Sequence, residues 1–160
     1  AEYFGKEVLE QCKEDDVIEN VKAIREFAGD RAVLRAFHFF EENKRVDAEV
    51  EALEKKDVAT FFNKITESGD SSWKWLQNCY CNETPDEQSI TVALALTKLY
   101  LDKIGRGVCR VHGGGFAGVI AAFLPKEETE GFTKYIDKAL GEGSAYVMHI
   151  RPQGAVKVEF

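Results

Sequence analysis

The chain is 160 residues and 18.0 kDa, enough for one domain with its own core and too short for two enzymatic domains. Its 28 Asp and Glu against 21 Lys and Arg give a net charge of −7, which argues against nucleic acid as a partner because such binding needs clustered cations. The 11 Phe, 5 Tyr and 2 Trp give it too much to bury for a disordered chain. The longest apolar runs, Val92–Leu96 and Val119–Leu124, fall far short of the ~20 residues of a membrane span, so no membrane partner is expected.

In chain order, residues 5–12 and 16–28 carry two short helical patterns, and Gly29-Asp30 ends the second and caps the next. A longer helix is predicted from Arg31 to about Lys55. In it Ala32, Ala36, Phe39, Asn43, Val46, Val50 and Leu53 step by fours and threes along one face. Asp57 is placed to cap a helix over Val58–Glu67, and Gly69-Asp70-Ser71 breaks the pattern before a short helix carrying Trp73, Trp75 and Leu76. Thr84-Pro85-Asp86-Glu87 starts another helix, running to about Lys103, whose apolar residues cover most of its circumference and predict burial. After Gly105 the period changes. Val108–Val111 and Phe116–Leu124 read as strands flanking a glycine run. Pro125 opens an amphipathic helix stopped by Gly141, and two further strands follow around Tyr146–Ile150 and Val156–Phe160. The fold class expected is α+β, a mainly antiparallel sheet packed against several helices, in a single domain spanning 1–160.

Two features could carry chemistry. Val111-His112-Gly113-Gly114-Gly115-Phe116-Ala117-Gly118 places three glycines in succession, which costs backbone entropy and is kept where φ must be positive or the backbone must be approached closely. Peptide N–H groups there can cradle a phosphate or oxyanion. The alternative is a tight connection between two strands, and the glycines alone leave both open. The second feature is the strip His38, Glu42 and Arg45 at i, i+4 and i+7 on the long helix. It is read either as a solvated face or as a functional support. Asn43, on the neighbouring apolar stripe, is expected to be buried and hydrogen-bonded. His149 is expected at the surface. The four cysteines read as reduced thiols, and Cys79-x-Cys81 lacks the second pair that a metal site needs, so no metal ligands are assigned. No cationic stretch followed by an apolar one opens the chain, and a cytoplasmic location is expected.

Arg35-Ala36-Phe37-His38 followed by Glu42-Asn43-Lys44-Arg45-Val46 resembles the galactokinase helix that reads R-A-x-H, then E-N-x-R-V. Arg110-Val111-His112-Gly113-Gly114-Gly115-Phe116-Ala117-Gly118 resembles that family's third signature, R-M-T-G-G/A-G-F-G-G. The resemblance covers 31–160 and weakens over 1–30. It implies the ferredoxin-like C-terminal domain of a kinase of the galactose, homoserine, mevalonate and phosphomevalonate group. It further implies ATP-dependent phosphoryl transfer to the anomeric hydroxyl of galactose or a related hexose. The family's nucleotide loop, catalytic Asp and G-R-x-N-L-I-G-E-H-T-D-Y signature, with the ATP and Mg they bind, belong to an N-terminal domain absent from these 160 residues. The fragment alone is therefore expected to have no kinase activity.

The resemblance assigns His112, Gly113, Gly114, Gly115, Phe116, Ala117 and Gly118 to a substrate and phosphate loop. It makes His38, Glu42, Asn43, Arg45 and Ser68 a supporting shell, with no catalytic residue in the chain. His112 replaces the family's Thr, Ala117 a Gly and Gly69 a His, departures that bear on sugar choice. A kinase for another hexose or amino sugar, and a non-catalytic sugar- or nucleotide-binding regulatory module, are the alternatives. An exposed interdomain face, including the glycine loop and part of the long helix, is expected to permit self-association.

Overall fold

The computed structural model describes residues 1–116, 118–150, 153–154 and 156–157, and these fall into two compact units, 1–124 and 125–160. The first unit is built on the long helix. Helices α1 (Glu14–Glu19) and α2 (Val21–Ala28) precede α3 (Asp30–Glu54), which is followed by α4 (Val58–Ser71) and a π-helical turn, Ser72–Leu76. Then come α5 (Ser89–Ile104) and the antiparallel strands β1 (Val108–His112) and β2 (Val119–Phe123). The second unit consists of a 3₁₀ turn, Lys126–Glu128, helix α6 (Thr129–Leu140) and the segment after it, where the Ala145 N–H donates to Asp137 Oδ1 at 3.0 Å.

Two apolar clusters hold the first unit. One joins Val17, Ile24, Val33 and Ala36, packing α1 and α2 on the front half of α3. The other joins Cys79, Ile90, Leu94 and Val111 between α5 and the hairpin. β1 also packs against α4, and α4 against α3, so the hairpin rests on a helical layer. Phe61 and Phe62 of α4 meet Phe123 of β2, each pair of ring centroids 6.3 Å apart.

The α+β class, with an antiparallel sheet on helices, agrees with the sequence, as do the bounds of α3 within a residue. The Asp57 cap is formed as expected: its carboxylate accepts from the Thr60 N–H at 3.0 Å. Six local expectations are corrected. The helix predicted over 5–12 is only a 3₁₀ turn at Leu9–Gln11, and the 16–28 pattern breaks at Asn20, whose side chain donates to the Asp16 carbonyl at 2.8 Å. Gly69 does not end α4 but lies inside it, where a Cβ would stand 3.1 Å from Arg110 Cβ; the glycine lets helix and strand approach closely. α5 begins at Ser89, because Gln88 turns back to donate to the carbonyls of Cys81 and Thr84. It is buried on one face only, leaving Val92 and Leu99 exposed. Among the described residues the sheet has two strands. Tyr146–Ile150 alternates as a strand would but is irregular, with no paired neighbour among the described residues and with Tyr146, Met148 and Ile150 exposed. The strand predicted at Val156–Phe160 lies largely outside the described residues.

Candidate functional site: a clamped glycine loop over a buried charge cluster

The sequence that turns β1 into β2 is the glycine run. The ladder runs from Val108 opposite Phe123 to His112 opposite Val119, leaving 113–118 as the connection. Gly113 and Gly115 take φ of 72° and 76°, which L side chains rarely adopt. Phe116, with φ 58°, does adopt it, an uncommon conformation for a bulky residue. His112, Gly113, Gly114, Phe116 and Gly118 are exposed, whereas Ala117 lies outside the described residues. A Cβ at Gly113 or Gly114 would meet nothing within 4 Å, so the backbone there is open to close approach by a ligand, as a phosphate cradle requires.

The other side of the loop is occupied. The Phe116 N–H donates to the Asn78 carbonyl at 2.7 Å, and Asn78 Nδ2 donates to the Gly114 carbonyl at 3.3 Å. A Cβ at Gly115 would lie 2.2 Å from the Asn78 carbonyl oxygen, so only glycine fits. Asn78 is 3% exposed and is separated from the π-helical turn only by Gln77. The Arg31 guanidinium donates to the Gln77 carbonyl at 2.9 Å, and Arg35 reaches the Leu76 carbonyl.

Beneath the hairpin, His38, Glu42 and Arg45 project from α3 toward α4 and β1. The Glu42 carboxylate accepts from Arg45 Nε at 2.9 Å, from Arg110 Nη1 at 3.1 Å and from the Ser68 hydroxyl, and Arg110 also donates to Ser68. Ser68 is fully buried and Arg45 is 8% exposed. His38 Nδ1 meets Ser71 Oγ at 3.0 Å. Burial pushes the Glu42 carboxyl up, but the hydrogen bonds from Ser68 and Arg45 and the charge of Arg110 outweigh it, and the group sits below the ordinary range. Burial lowers His38, with Arg45 and Arg110 adding to the effect and Glu42 opposing it. Glu49, one turn further on, is raised by burial and by the charge of Glu42.

The structure thus brings His38, Glu42, Arg45 and Ser68 together, as a charge cluster on the inner side of α3 rather than a solvated strip. Asn43 is corrected: it is exposed, with Val46, Val50 and Leu53 of the same stripe. The regular four-three spacing tracks an outward face over the second half of α3. Ser68 and Arg110 supply partners for Glu42, which in turn pairs with Arg45, and that pairing turns the polar strip inward. Sequence reasoning missed the parts played by Asn78, Arg110 and Ser71. Arg110 stood inside the quoted loop signature, and its charge so close to a buried strand position was the signal for an acidic partner. Asn78 gave no local signal. Among the described residues no group of three or more His, Cys, Asp or Glu side chains could hold a metal ion, and no helix is long and apolar enough to cross a membrane.

No protein-family model matches the chain. It is similar to a galactokinase of Glaesserella parasuis serovar 5, 31% identical over 139 residues that cover 85% of this chain and 33% of that protein. It is also similar to a galactokinase of Haemophilus influenzae strain PittGG, 30% identical over 146 residues covering 79% of this chain and 34% of that protein. A galactokinase of Mannheimia succiniciproducens is 29% identical over 136 residues, covering 85% of this chain and 33% of that protein. The chain spans about a third of the length of the curated relatives it matches.

Proposed function

Over most of its length the chain is a relative of the galactokinases, and from that premise we propose that it is the C-terminal domain of an ATP-dependent galactokinase. The parent protein, in the cytoplasm, would transfer a phosphoryl group from ATP to the anomeric hydroxyl of galactose. When bound, ATP supplies the phosphoryl group and Mg offsets its charge. Both would be held by the part of the protein outside these 160 residues.

This chain's own contribution is positional. The open backbone at Gly113 and Gly114 would face the substrate and the phosphates, with His112 and Phe116 at its flanks. The cluster of His38, Glu42, Arg45 and Ser68 would fix the strand that leads into the loop. With most of the machinery elsewhere, the 160 residues alone would not turn over ATP. The observation carrying this reading is the similarity across 85% of the chain to proteins of which it spans a third.

The test is to assay the product of the gene encoding these residues with ATP and a panel of hexoses and amino sugars. Galactose is expected to be phosphorylated fastest. A preference for another sugar would overturn the substrate, and no sugar phosphorylation at all would overturn the function. The fragment alone is further proposed to self-associate through apolar residues left exposed, Phe116 and Val119 at the loop and Val46, Val50 and Leu53 on α3. A monodisperse monomer in light scattering would refute that.

A further inference from the structure

We propose that Asn78 is the positioning residue of the glycine loop, clamping its second half so that the first half is presented in one conformation before any ligand arrives. The proposal rests on the reading that this loop meets phosphates or sugar in a kinase site.

Three successive glycines would leave a free loop sampling many conformations, and ordering it on binding would be costly. Here that ordering is already done. The loop's Phe116 amide is committed to the Asn78 carbonyl at 2.7 Å, and the Gly114 carbonyl to the Asn78 side chain at 3.3 Å. The backbone at Gly115 lies so close to Asn78 that a Cβ would fall 2.2 Å from its carbonyl oxygen and 2.7 Å from its Cγ and Nδ2.

The clamp is itself fixed. Gln77 takes φ 57° at the end of the π-helical turn, its N–H donating to the Ser72 carbonyl at 2.8 Å. Arg31 of α3 holds the Gln77 carbonyl at 2.9 Å. On the other side, Thr91 of α5 donates its hydroxyl to the Cys79 carbonyl at 2.9 Å. Asn78 therefore sits between two anchored neighbours, and the loop inherits its position from α3 and α5. Gly113 and Gly114 are left exposed with open space around them. The Gly114 carbonyl, Gly115 and the Phe116 amide are held by Asn78, while the Cα positions of Gly113 and Gly114 stay open.

Asn78→Asp tests this with almost no change in shape, because a carboxylate cannot donate to the Gly114 carbonyl and sets a negative charge against it. Asn78→Ala is the second variant, should the charge disturb folding. Amide exchange on the 160-residue chain is expected to show a protected Phe116 N–H, exchanging roughly tenfold faster in either variant, with the change confined to 112–118. In the longer protein that contains this chain, kcat is expected to fall by roughly one to two orders of magnitude while the melting temperature stays within a few degrees. A Phe116 amide that is unprotected, or unaffected by either variant, overturns the clamp. So does faster exchange spread through α4 and both strands, which would mark Asn78 as a residue of the fold. Faster loop exchange with kcat unchanged overturns the positioning role. Failure of the unmutated longer protein to phosphorylate galactose refutes the proposed function instead, and is distinguishable because no variant is involved.

Discussion

Replacing Glu42 by Leu removes the acceptor shared by Arg45, Arg110 and Ser68, leaving Arg45 buried without its counter-charge. Breaking a fully buried ion pair from one side costs about 3–5 kcal/mol. Here the side chains of Glu42 and Arg110 are 22% and 23% exposed and that of Arg45 is 9%, so water screens part of the loss. We expect about 2–3 kcal/mol, which in a domain of this size lowers the melting temperature by roughly 6–9 °C. Were the His38–Glu42–Arg45 strip a solvated face, the same substitution would cost no more than about 0.5 kcal/mol. Urea denaturation of wild type, Glu42→Leu, Arg110→Leu and the double variant measures both the loss and the coupling between the partners. Coupling of about 1 kcal/mol or more is expected for residues sharing a partner. A loss below about 0.5 kcal/mol with strictly additive single variants would refute the buried cluster.

Three further outcomes are expected. Gly115→Ala sets a methyl against the Asn78 carbonyl at a φ of 76° and should destabilise the hairpin by roughly 1–3 kcal/mol in urea denaturation, whereas Gly114→Ala, in open space, should cost much less. Asp57→Ala removes the cap from α4 and should cost about 1 kcal/mol, with Asp57→Asn retaining most of it. His38 has its folded pKa depressed, so the unfolded chain binds its proton first as pH falls. Stability tied to its neutral form is present above about pH 6.5 and is lost as pH falls from there through the folded pKa. His38→Gln should flatten that part of the stability–pH curve, and an unchanged curve would contradict the buried placement.

The sequence was most informative where a local rule acts alone. The length of α3, the Asp57 cap and the two strands flanking the glycine run all follow from caps, periodicity and glycine, and each was legible. What was not legible depended on partners distant in the chain. The apolar stripe through Asn43, Val46 and Val50 has ideal helical spacing, yet the fold turns the neighbouring polar strip inward because Ser68 and Arg110 wait there. Gly69 looked like a helix breaker because the strand pressing on it lies some 40 residues away in the chain. Tyr146–Ile150 has the alternation of a strand, but a strand forms only against a paired neighbour, and none stands among the described residues. In the site, the glycine loop was visible as a feature and Asn78 was not, since a single Asn after a tryptophan-rich turn carries no periodic or motif signal.

On the proposed function, these residues form one part of a galactokinase site and are inert without the remainder. Galactose-dependent release of ADP, measured for the 160-residue chain and for the full product of the gene encoding it, tests this. Turnover is expected from the full gene product and none from the chain alone. Turnover by the isolated chain, or a full gene product that releases no ADP with galactose, would contradict the proposal.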